Sequence, residues 1–342
     1  MNVTSVNSDT TENKTSPNQE TTQVTSVDVL IATLCIALAS FICSLNVLTI
    51  LVVWRTPALR TFTVAYVVSL AVADFMVGLE LLPMSLYFLP PTRVGLFNRN
   101  VHMCLLMNGL STGMTTVSLM HMLVISVDRY IYIVRPYYYE QVMSSRLVSA
   151  LIASSWAIGV LLLFMPHVIH KDGSKAETCE ITKLLPTWHL FTGIWTMYFS
   201  VSLVIFVMYS LIFLTALKQR NAVRVTAAAV ETHTGPHSQV SSATVGNHRG
   251  FYFFLTLFGV FFLCLTPVVV AMGLDCFVPI PVTLYRFLVM LAMANSGMNF
   301  IIFAFQNKEF RGALIKLLNL KRFLPNNSTR DVNSTRDVNS TR

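Results

Sequence analysis

Residues 29–54 read VLIATLCIALASFICSLNVLTILVVW, an apolar stretch without a charged side chain. A membrane helix needs about 20 predominantly apolar residues to cross about 30 Å of hydrocarbon. Backbone polar groups in such a span must be satisfied within the segment, so a helix is the expected form. Similar stretches follow, and we predict an all-α membrane protein, a seven-transmembrane helix bundle. The predicted spans are Val29–Trp54, Thr63–Phe88, His102–Val134, Leu147–Ile169, Trp188–Leu217, Phe251–Leu274 and Val282–Phe305.

The composition of the whole chain agrees with a membrane protein. Of its 342 residues, 54% are hydrophobic and 12% are charged, whereas about a quarter of the residues of a typical soluble domain are charged. The formal net charge is +8, but the basic residues are spread along an apolar chain. They form no basic patch with interleaved aromatic side chains. We therefore expect membrane lipid, and no nucleic acid, among the partners.

Lysine and arginine indicate the orientation of the bundle. The first, third and fifth connections and the segment after the last span carry about twice as many of them as the opposite side. Because cytoplasmic loops are enriched in Lys and Arg, we predict a multi-pass plasma membrane protein with an extracellular amino terminus and a cytoplasmic carboxyl terminus. Residues 1–28 are predicted to be an extracellular disordered tail. In it, Asn2 and Asn13 begin Asn-x-Ser/Thr sequons for glycosylation.

Two cytoplasmic segments differ from the spans in pattern. The third cytoplasmic connection, Lys218–Gly250, is rich in Thr, Ser and His and lacks apolar periodicity, which predicts a flexible segment. After the last span, Asn307–Phe323 places apolar residues among basic ones at a spacing typical of a short amphipathic helix on the membrane surface. The membrane domain therefore covers residues 29–323, and residues 324–342 form a cytoplasmic low-complexity tail.

Two of the six cysteines are predicted to form a disulfide. Cys104 stands at the outer start of the third span, and Cys179 lies in the second outer connection. Both positions face an oxidising compartment, where a bridge persists. Cys35, Cys43 and Cys264 lie within spans and are predicted to be small buried hydrophobic residues.

Polar residues and short motifs occur in a fixed order along the spans. Charged side chains are costly inside a membrane and usually functional there. The series consists of Asn46, Leu70-Ala71-Val72-Ala73-Asp74, Asp128-Arg129-Tyr130, Trp156, Tyr209, Phe261, Cys264-Leu265-Thr266-Pro267 and Asn295-Ser296-x-x-Asn299. Taken together, it resembles the rhodopsin-like (class A) G-protein-coupled receptor family over about Val29 to Phe323. The resemblance implies a receptor that activates a heterotrimeric G protein, with arrestin as a further partner.

The resemblance also implies a coupling face at the inner end of the bundle. Arg129 beside Asp128 can hold a charge-assisted ion pair whose release frees a cation for a partner protein. The other interpretation is a basic residue that anchors the helix end. The implied coupling and switch residues are Asp128, Arg129, Tyr130, Tyr209, Phe261, Pro267 and Asn299. An acidic residue usual near the start of the sixth helix is missing from Val245–Arg249, so raised basal signalling is expected.

Several positions depart from the family pattern. Leu265 stands where an indole is common, and Val201 stands where proline is usual. The last span has Phe300 and Phe303 in place of the family's proline and tyrosine. Pro267 still kinks the sixth helix by removing a backbone donor. These departures keep an atypical, weakly signalling or decoy receptor open as an alternative.

A polar cluster in the spans matches the sodium site of similar receptors. A carboxylate surrounded by hydroxyl and amide oxygens suits a hard cation. The matching residues are Asp74, Ser118, Asn295, Ser296 and Asn299. The other interpretation is a neutral, hydrogen-bonded Asp74. No cofactor besides this sodium ion is expected.

The family positions of an outer ligand cavity are mostly apolar here, with hydroxyl groups on the third span. They are Glu80, Met107, Asn108, Ser111, Thr112, Thr115, Gly193, Met197, Val268, Val269, Met272, Tyr285, Val289 and Met293. Apolar walls with a few polar groups are typical of a small-molecule site, so we expect an extracellular, small and largely apolar ligand. Ser111 replaces the aspartate of amine receptors, so an amine-like ligand needs Glu80 as its anchor. A structural role for Glu80 is the alternative.

Other classes of membrane protein agree less well with the sequence. A transporter is expected to show internal repeats and broken helices with paired charges in mid-membrane. A membrane enzyme needs an intramembrane Ser-His pair, paired aspartates or a His-rich cluster. The sequence has none of these features. We therefore predict a receptor and not an enzyme.

Overall fold

The computed structural model describes residues 23–170, 179, 184–231 and 242–318, without the side chains of residues 219–220, 223–231 and 242–254. Within these ranges every regular element is a helix. The main helices are α1 (Ser26–Arg55), α2 (Phe62–Tyr87), α3 (Val101–Val134), α4 (Ser145–Ile169), α5 (Thr196–Glu231), α6 (Ser242–Leu274), α7 (Val282–Gln306) and α8 (Lys308–Leu317). Short helical turns are Pro57–Leu59, Pro90–Thr92, Arg93–Phe97, Pro136–Val142 and His189–Trp195.

Seven of the described helices are long and apolar enough to cross a membrane, which confirms the predicted bundle. The start of α1 differs from the prediction by three residues. The Thr25 side chain accepts a hydrogen bond from Asp28 N (3.2 Å), and the Asp28 carboxylate accepts one from Thr25 N (3.0 Å). This reciprocal cap satisfies free amides of the first turn, so the helix starts before the apolar run begins.

The connection between α5 and α6 is more helical than predicted where it is described. Helix α5 continues to Glu231, and α6 begins at Ser242. The prediction of a flexible Lys218–Gly250 is therefore wrong for both ends of this segment. The residues after Arg220 include several alanines, which favour a helix without apolar periodicity. The absence of an amphipathic pattern therefore did not indicate the absence of a helix.

Helix α8 confirms the predicted amphipathic helix over part of its range. The Asn307 side chain accepts hydrogen bonds from the backbone amides of Glu309 and Phe310, both at 3.0 Å. Phe310 is buried, with its ring centroid 5.9 Å from that of Phe300 and 5.7 Å from that of Phe303. The remainder of the predicted segment, residues 319–323, lies outside the described residues, as do both predicted tails with Asn2 and Asn13.

Helices α3 and α4 approach each other closely through glycines. A Cβ atom on Gly113 would lie 2.8 Å from the Gly159 carbonyl oxygen and 2.9 Å from Leu163 Cβ. Both distances are shorter than van der Waals contact, and one of the neighbours is backbone. The packing of α3 against α4 therefore depends on the absence of a side chain at Gly113.

We expect Gly113→Ala to lower the free energy of unfolding by about 1–3 kcal/mol, because the added methyl group forces the two helices apart. Thermal unfolding of the purified protein in detergent measures this. The matched control is Gly259→Ala, since a Cβ there meets no atom within 4 Å. Equal stabilities of the two variants would contradict this account of the α3–α4 contact.

Candidate functional site

A cavity of about 680 Å³ lies between the helices towards one end of the bundle. Its wall combines apolar side chains with hydroxyl groups of α3. The predicted ligand residues in the wall are Met107, Asn108, Ser111, Thr112, Thr115, Met197, Val268, Val269, Met272, Tyr285, Val289 and Met293. The structure thus places these side chains together, and their role in binding a ligand stays a prediction.

Two residues predicted for this wall do not belong to it. Gly193 lies in the helical turn before α5, where a Cβ would be 3.1 Å from the His189 ring, so it faces that ring. Glu80 is buried behind the wall, with only 5% of its surface exposed. Among the described residues, neither of its carboxyl oxygens has a hydrogen-bond partner. The Ser111 side chain, which does line the cavity, is close enough to interact with the Glu80 carboxyl.

The predicted disulfide forms beside the cavity, whose wall includes Cys179. It joins Cys104 to Cys179, whose Cα atoms are 5.7 Å apart. The Tyr87 hydroxyl donates to the Cys179 carbonyl oxygen at 2.8 Å, and Cys179 N donates to Asn98 Oδ1 at 3.0 Å. Cys276 is a free thiol in the cavity wall, and burial raises its pKa. Cys179 is thereby held against α2 and α3 at the cavity wall.

A buried ion pair, missed by the sequence analysis, joins α7 to α1. Arg286 Nη1 lies 2.6 Å from Asp28 Oδ1, and both residues are buried. Arg286 also lines the cavity and lies over the Phe88 ring, 5.5 Å from its centroid. A charged residue at the start of an apolar span indicated a partner, but the two residues are 258 positions apart in the sequence, which concealed the pairing.

Two hydrogen bonds join α6 to α5 and to the turn before it. The Trp195 indole donates to the Val269 carbonyl oxygen at 2.7 Å, and the Tyr198 hydroxyl lies 2.8 Å from Thr266 Oγ1. Tyr198 and Val269 both line the cavity. These contacts flank Pro267, where the helix lacks a backbone donor. Neither contact is predictable from the sequence, because an aromatic residue in an apolar span predicts burial but no particular partner.

The predicted sodium-site residues converge below this cavity. Asp74 is fully buried, and its carboxylate accepts from Ser118 Oγ (3.3 Å) and Asn299 Nδ2 (2.6 Å). Ser296 also interacts with it. The side-chain oxygens of Asn295 and Asn299 are buried without a hydrogen-bond partner. The donor set fits a hard cation, since two amide oxygens accompany the carboxylate and hydroxyl groups.

The cavity extends to this cluster, because its lining includes Ser118, Asn295 and Ser296. It also includes Phe261, a buried residue of α6 that was predicted to belong to the switch. Asn46 Nδ2 donates to the Ser296 carbonyl oxygen at 3.0 Å and so ties α1 to the same region of α7. Some side chains of the Asp74 cluster therefore also line the cavity, where a bound molecule can contact them.

The predicted inner ion pair forms at the other end of α3. Arg129 Nη2 lies 2.6 Å from Asp128 Oδ2, with 18% of the arginine side chain exposed. Thr63 Oγ1 donates to the same carboxylate at 2.8 Å and also contacts Arg129. Tyr139 donates to Asp128 Oδ1 at 3.1 Å, and burial followed by the Asp128 charge raises the tyrosine pKa to about 12. The Asp128–Arg129 pair and the neutral Tyr139 side chain therefore lie together at this end of α3.

The other predicted switch residues lie on α3, α5, α6 and α7. Tyr209 of α5 is buried and stacks on Phe258 of α6, with centroids 6.0 Å apart. Tyr130 is partly buried and packs against the apolar core. Pro267 lies within α6, as predicted. Side chains of residues 242–254 lie outside the described part, so the expectation of raised basal signalling, which rests on Val245–Arg249, stays a prediction.

The region from residue 45 to residue 303 matches the family model described as "7 transmembrane receptor (rhodopsin family)". The chain belongs to this family. It is a multi-pass plasma membrane receptor and not an enzyme.

Three named receptors are similar to this chain in sequence. A D(1)-like dopamine receptor of Takifugu rubripes is 27% identical over 308 residues, 78% of this chain and 65% of the relative, just under two thirds. The histamine H2 receptor of Canis lupus familiaris is 27% identical over 288 residues, 81% of this chain and 76% of the relative. The octopamine receptor beta-2R of Drosophila melanogaster is 38% identical over 125 residues, 36% of this chain and 23% of the relative.

This receptor of the rhodopsin family departs from the family motif in α7, and buried aromatic side chains occupy the two changed positions. Phe300 and Phe303, which stand in place of proline and tyrosine, are both buried and pack around Phe310 of α8. The carboxyl-terminal end of α7 is therefore joined to α8 by aromatic packing.

Proposed function

We propose that this receptor stands in the plasma membrane with its amino terminus outside, binds an extracellular small molecule in the 680 Å³ cavity and activates a heterotrimeric G protein. The observation that carries the proposal is the position of the two candidate sites on one helix. Ser111 of α3 lines the cavity, and the Asp128–Arg129 pair lies near the end of the same helix. A ligand that favours one arrangement of α3 against α6 can therefore shift the population of a form that binds G protein.

The cavity supports a small ligand with a largely apolar body. Its size falls within the range of about 300–1,000 Å³ for small-molecule sites, and Val268, Met272 and Val289 contribute apolar wall. Cys179 contributes to the wall as well. We infer that the ligand is a small molecule of drug-like size and not a folded peptide.

A second candidate is a ligand that also carries an amine. The relatives support it, because dopamine, histamine and octopamine, which their names give, are all small amines. Ser111 leaves the wall of α3 without a carboxylate at this position, so such a ligand requires another counter-ion.

Nucleotide exchange on purified G proteins tests the proposal. The purified receptor, embedded in a lipid bilayer disc, is mixed with several G-protein subtypes and a panel of small ligands that includes the three amines. Faster exchange with at least one ligand and one subtype supports the proposal. Exchange at the spontaneous rate under every condition overturns it and favours the weakly signalling or decoy alternative. Epitope tags at the two termini, read on intact cells, test the orientation.

We propose in addition that Asp74, Ser118, Asn295, Ser296 and Asn299 hold a sodium ion. The unpartnered oxygens of Asn295 and Asn299 support this assignment. Such an ion supplies a positive charge beside the Asp74 carboxylate and so stabilises the arrangement of α2, α3 and α7 around it.

We expect sodium to stabilise the receptor against unfolding by about 1.4 kcal/mol at ten times its Kd, because it binds the folded state alone. Asp74→Asn is expected to remove this effect by removing the charge that attracts the ion. Thermal unfolding at constant ionic strength, with N-methylglucamine replacing sodium, measures both. An equal sodium response in the variant would show that the ion does not bind at Asp74.

A further inference from the structure

Glu80 is a buried acid without a partner. It lies in the outer half of α2, with 5% of its surface exposed and both carboxyl oxygens shielded from solvent. Neither oxygen has a hydrogen-bond partner among the described residues. A buried carboxylate without a partner is costly in free energy, whereas a nearby cation relieves the cost. The described part of the chain supplies no hydrogen-bond partner for this carboxyl group, so a bound ligand can supply one.

Glu80 lies on the face of α2 that borders the cavity. Val77 and Met84, three residues before and four residues after it, both line the cavity. Residues at these spacings share one helix face. The Ser111 side chain lines the cavity and lies beside the Glu80 carboxyl. The carboxyl group thus lies one side-chain layer behind the wall, at Ser111.

The charged groups of the wall itself already have partners. In the described wall these residues are Arg93, Asp275 and Arg286. Arg286 pairs with Asp28, and Asp275 Oδ1 accepts from Ile280 N at 3.0 Å. All three lie at or beyond the outer ends of the helices, in the first outer connection, after α6 and in the first turns of α7. Glu80 differs from them in depth, and its carboxyl oxygens have no hydrogen-bond partner within the described residues.

We propose that Glu80 and Ser111 form a cation subsite of the outer cavity, which takes the protonated amine of a ligand whose apolar body occupies the rest of the cavity. This inference rests on the proposed function and names the ligand class of its site. An ammonium group donates up to three hydrogen bonds, and the carboxylate and the serine hydroxyl can both accept them. A metal ion fits less well, since the described residues contain no group of three or more His, Cys, Asp or Glu side chains that could hold one.

The subsite differs from a carboxylate in the wall because the ligand must displace side chains to reach it. Glu80 is buried and does not line the cavity, whereas Ser111 does, so an amine reaches the carboxyl oxygens only when side chains of the wall move. Binding of the amine then joins α2 and α3 through one cation.

Binding to the purified receptor, measured without any G protein, tests this subsite. The probes are 2-phenylethylamine and 2-(indol-3-yl)ethylamine, each beside the alcohol of the same carbon skeleton. We expect both amines to bind the unmodified receptor more tightly than their alcohols. Glu80→Gln is expected to weaken the amines by roughly 100-fold, as for a buried charge pair that loses one member. The alcohols are expected to bind both proteins equally.

The thermal stability of the ligand-free variant separates a ligand anchor from a structural acid. We expect Glu80→Gln to raise the unfolding temperature, because it removes an unpartnered buried acid. A fall in that temperature, with equal losses for amines and alcohols, assigns Glu80 a structural role and overturns the proposal.

A second variant places a carboxylate on the neighbouring helix α3, in place of the one removed from α2. Ser111→Asp, added to Glu80→Gln, is expected to restore at least part of the amine affinity, because a carboxylate again faces the cavity at this point. Amines that bind no better than alcohols in the unmodified receptor contradict the cation subsite. Because no G protein is present, that result leaves the proposed signalling function standing, whereas failed exchange with bound amine contradicts the function alone.

Discussion

Ligand-stimulated nucleotide exchange is expected to fall to the unstimulated rate when Arg129 is replaced by alanine. The guanidinium group is the partly exposed cation at the inner end of α3, held by Asp128 and Thr63. Its removal takes away the charge that we expect to meet the G protein after the pair opens. Loss of one member of a buried charge pair at an interface costs about 2–5 kcal/mol, which corresponds to roughly 30- to 5,000-fold in affinity for the partner.

Arg135→Ala is the matched control for this variant. Arg135 stands just after α3 and is exposed, and no ion pair involves it within the described residues. We expect this control to keep most of the exchange activity and both variants to keep ligand binding in the outer cavity. Full activity of Arg129→Ala would show that the ion pair only anchors the helix end, the alternative interpretation of this residue.

The free energy of unfolding is expected to fall by about 3–5 kcal/mol when Arg286 is replaced by methionine. The substitution retains apolar bulk but leaves the buried Asp28 carboxylate without its cation. A buried charge that loses its partner is strongly destabilising, whereas removal of both charges is nearly neutral. Thermal and denaturant unfolding of the purified receptor in the same detergent measure the difference.

The double variant Asp28→Asn with Arg286→Met serves as the control. We expect it to recover most of the lost stability, because no unpaired charge remains and asparagine can still accept a hydrogen bond from Thr25. Equal destabilisation by the single and double variants would show that the effect comes from lost packing around Arg286, for example against Phe88, and not from the ion pair.

The sequence predicts the spans well because membrane crossing places a strong demand on composition. Stretches such as Val29–Trp54 have the required length and lack charges, whatever their neighbours are. The ends of helices depend on other interactions. The cap between Thr25 and Asp28 lies outside the apolar run, and the extension of α5 to Glu231 needs no contact with lipid. Hydrophobicity alone therefore predicts the number of helices and not their bounds.

Some contacts in the candidate sites are predictable from the sequence and others are not. The pairing of Asp128 with Arg129 and the convergence of Asn299 on Asp74 follow from ordered motifs in the spans. The pairing of Arg286 with Asp28 does not, because a residue at one end of the chain carries no information about a partner at the other. Which side chains face a cavity also depends on rotation of each helix about its axis.

Glu80 illustrates this limit most clearly. Its sequence position predicts a place in the cavity wall, and Val77 and Met84 on the same helix face do line it. The Glu80 carboxyl is nevertheless shielded, since Ser111 of another helix stands beside it. A difference of one side-chain layer changes the residue from an accessible anchor to one that a ligand must uncover. Such a difference arises from packing between helices and has no counterpart in the sequence.

The central claim is that the outer cavity and the inner face around Arg129 are coupled. Coupling between two sites is reciprocal, so a G protein that binds the inner face must change the affinity of the outer cavity by the same factor as the ligand changes its own. The most direct measurement is the Kd of a cavity ligand with and without nucleotide-free G protein. We predict at least a roughly tenfold tighter Kd with G protein, about 1.4 kcal/mol of coupling, and no change in Arg129→Ala. An identical Kd with and without G protein in the unmodified receptor would contradict the account.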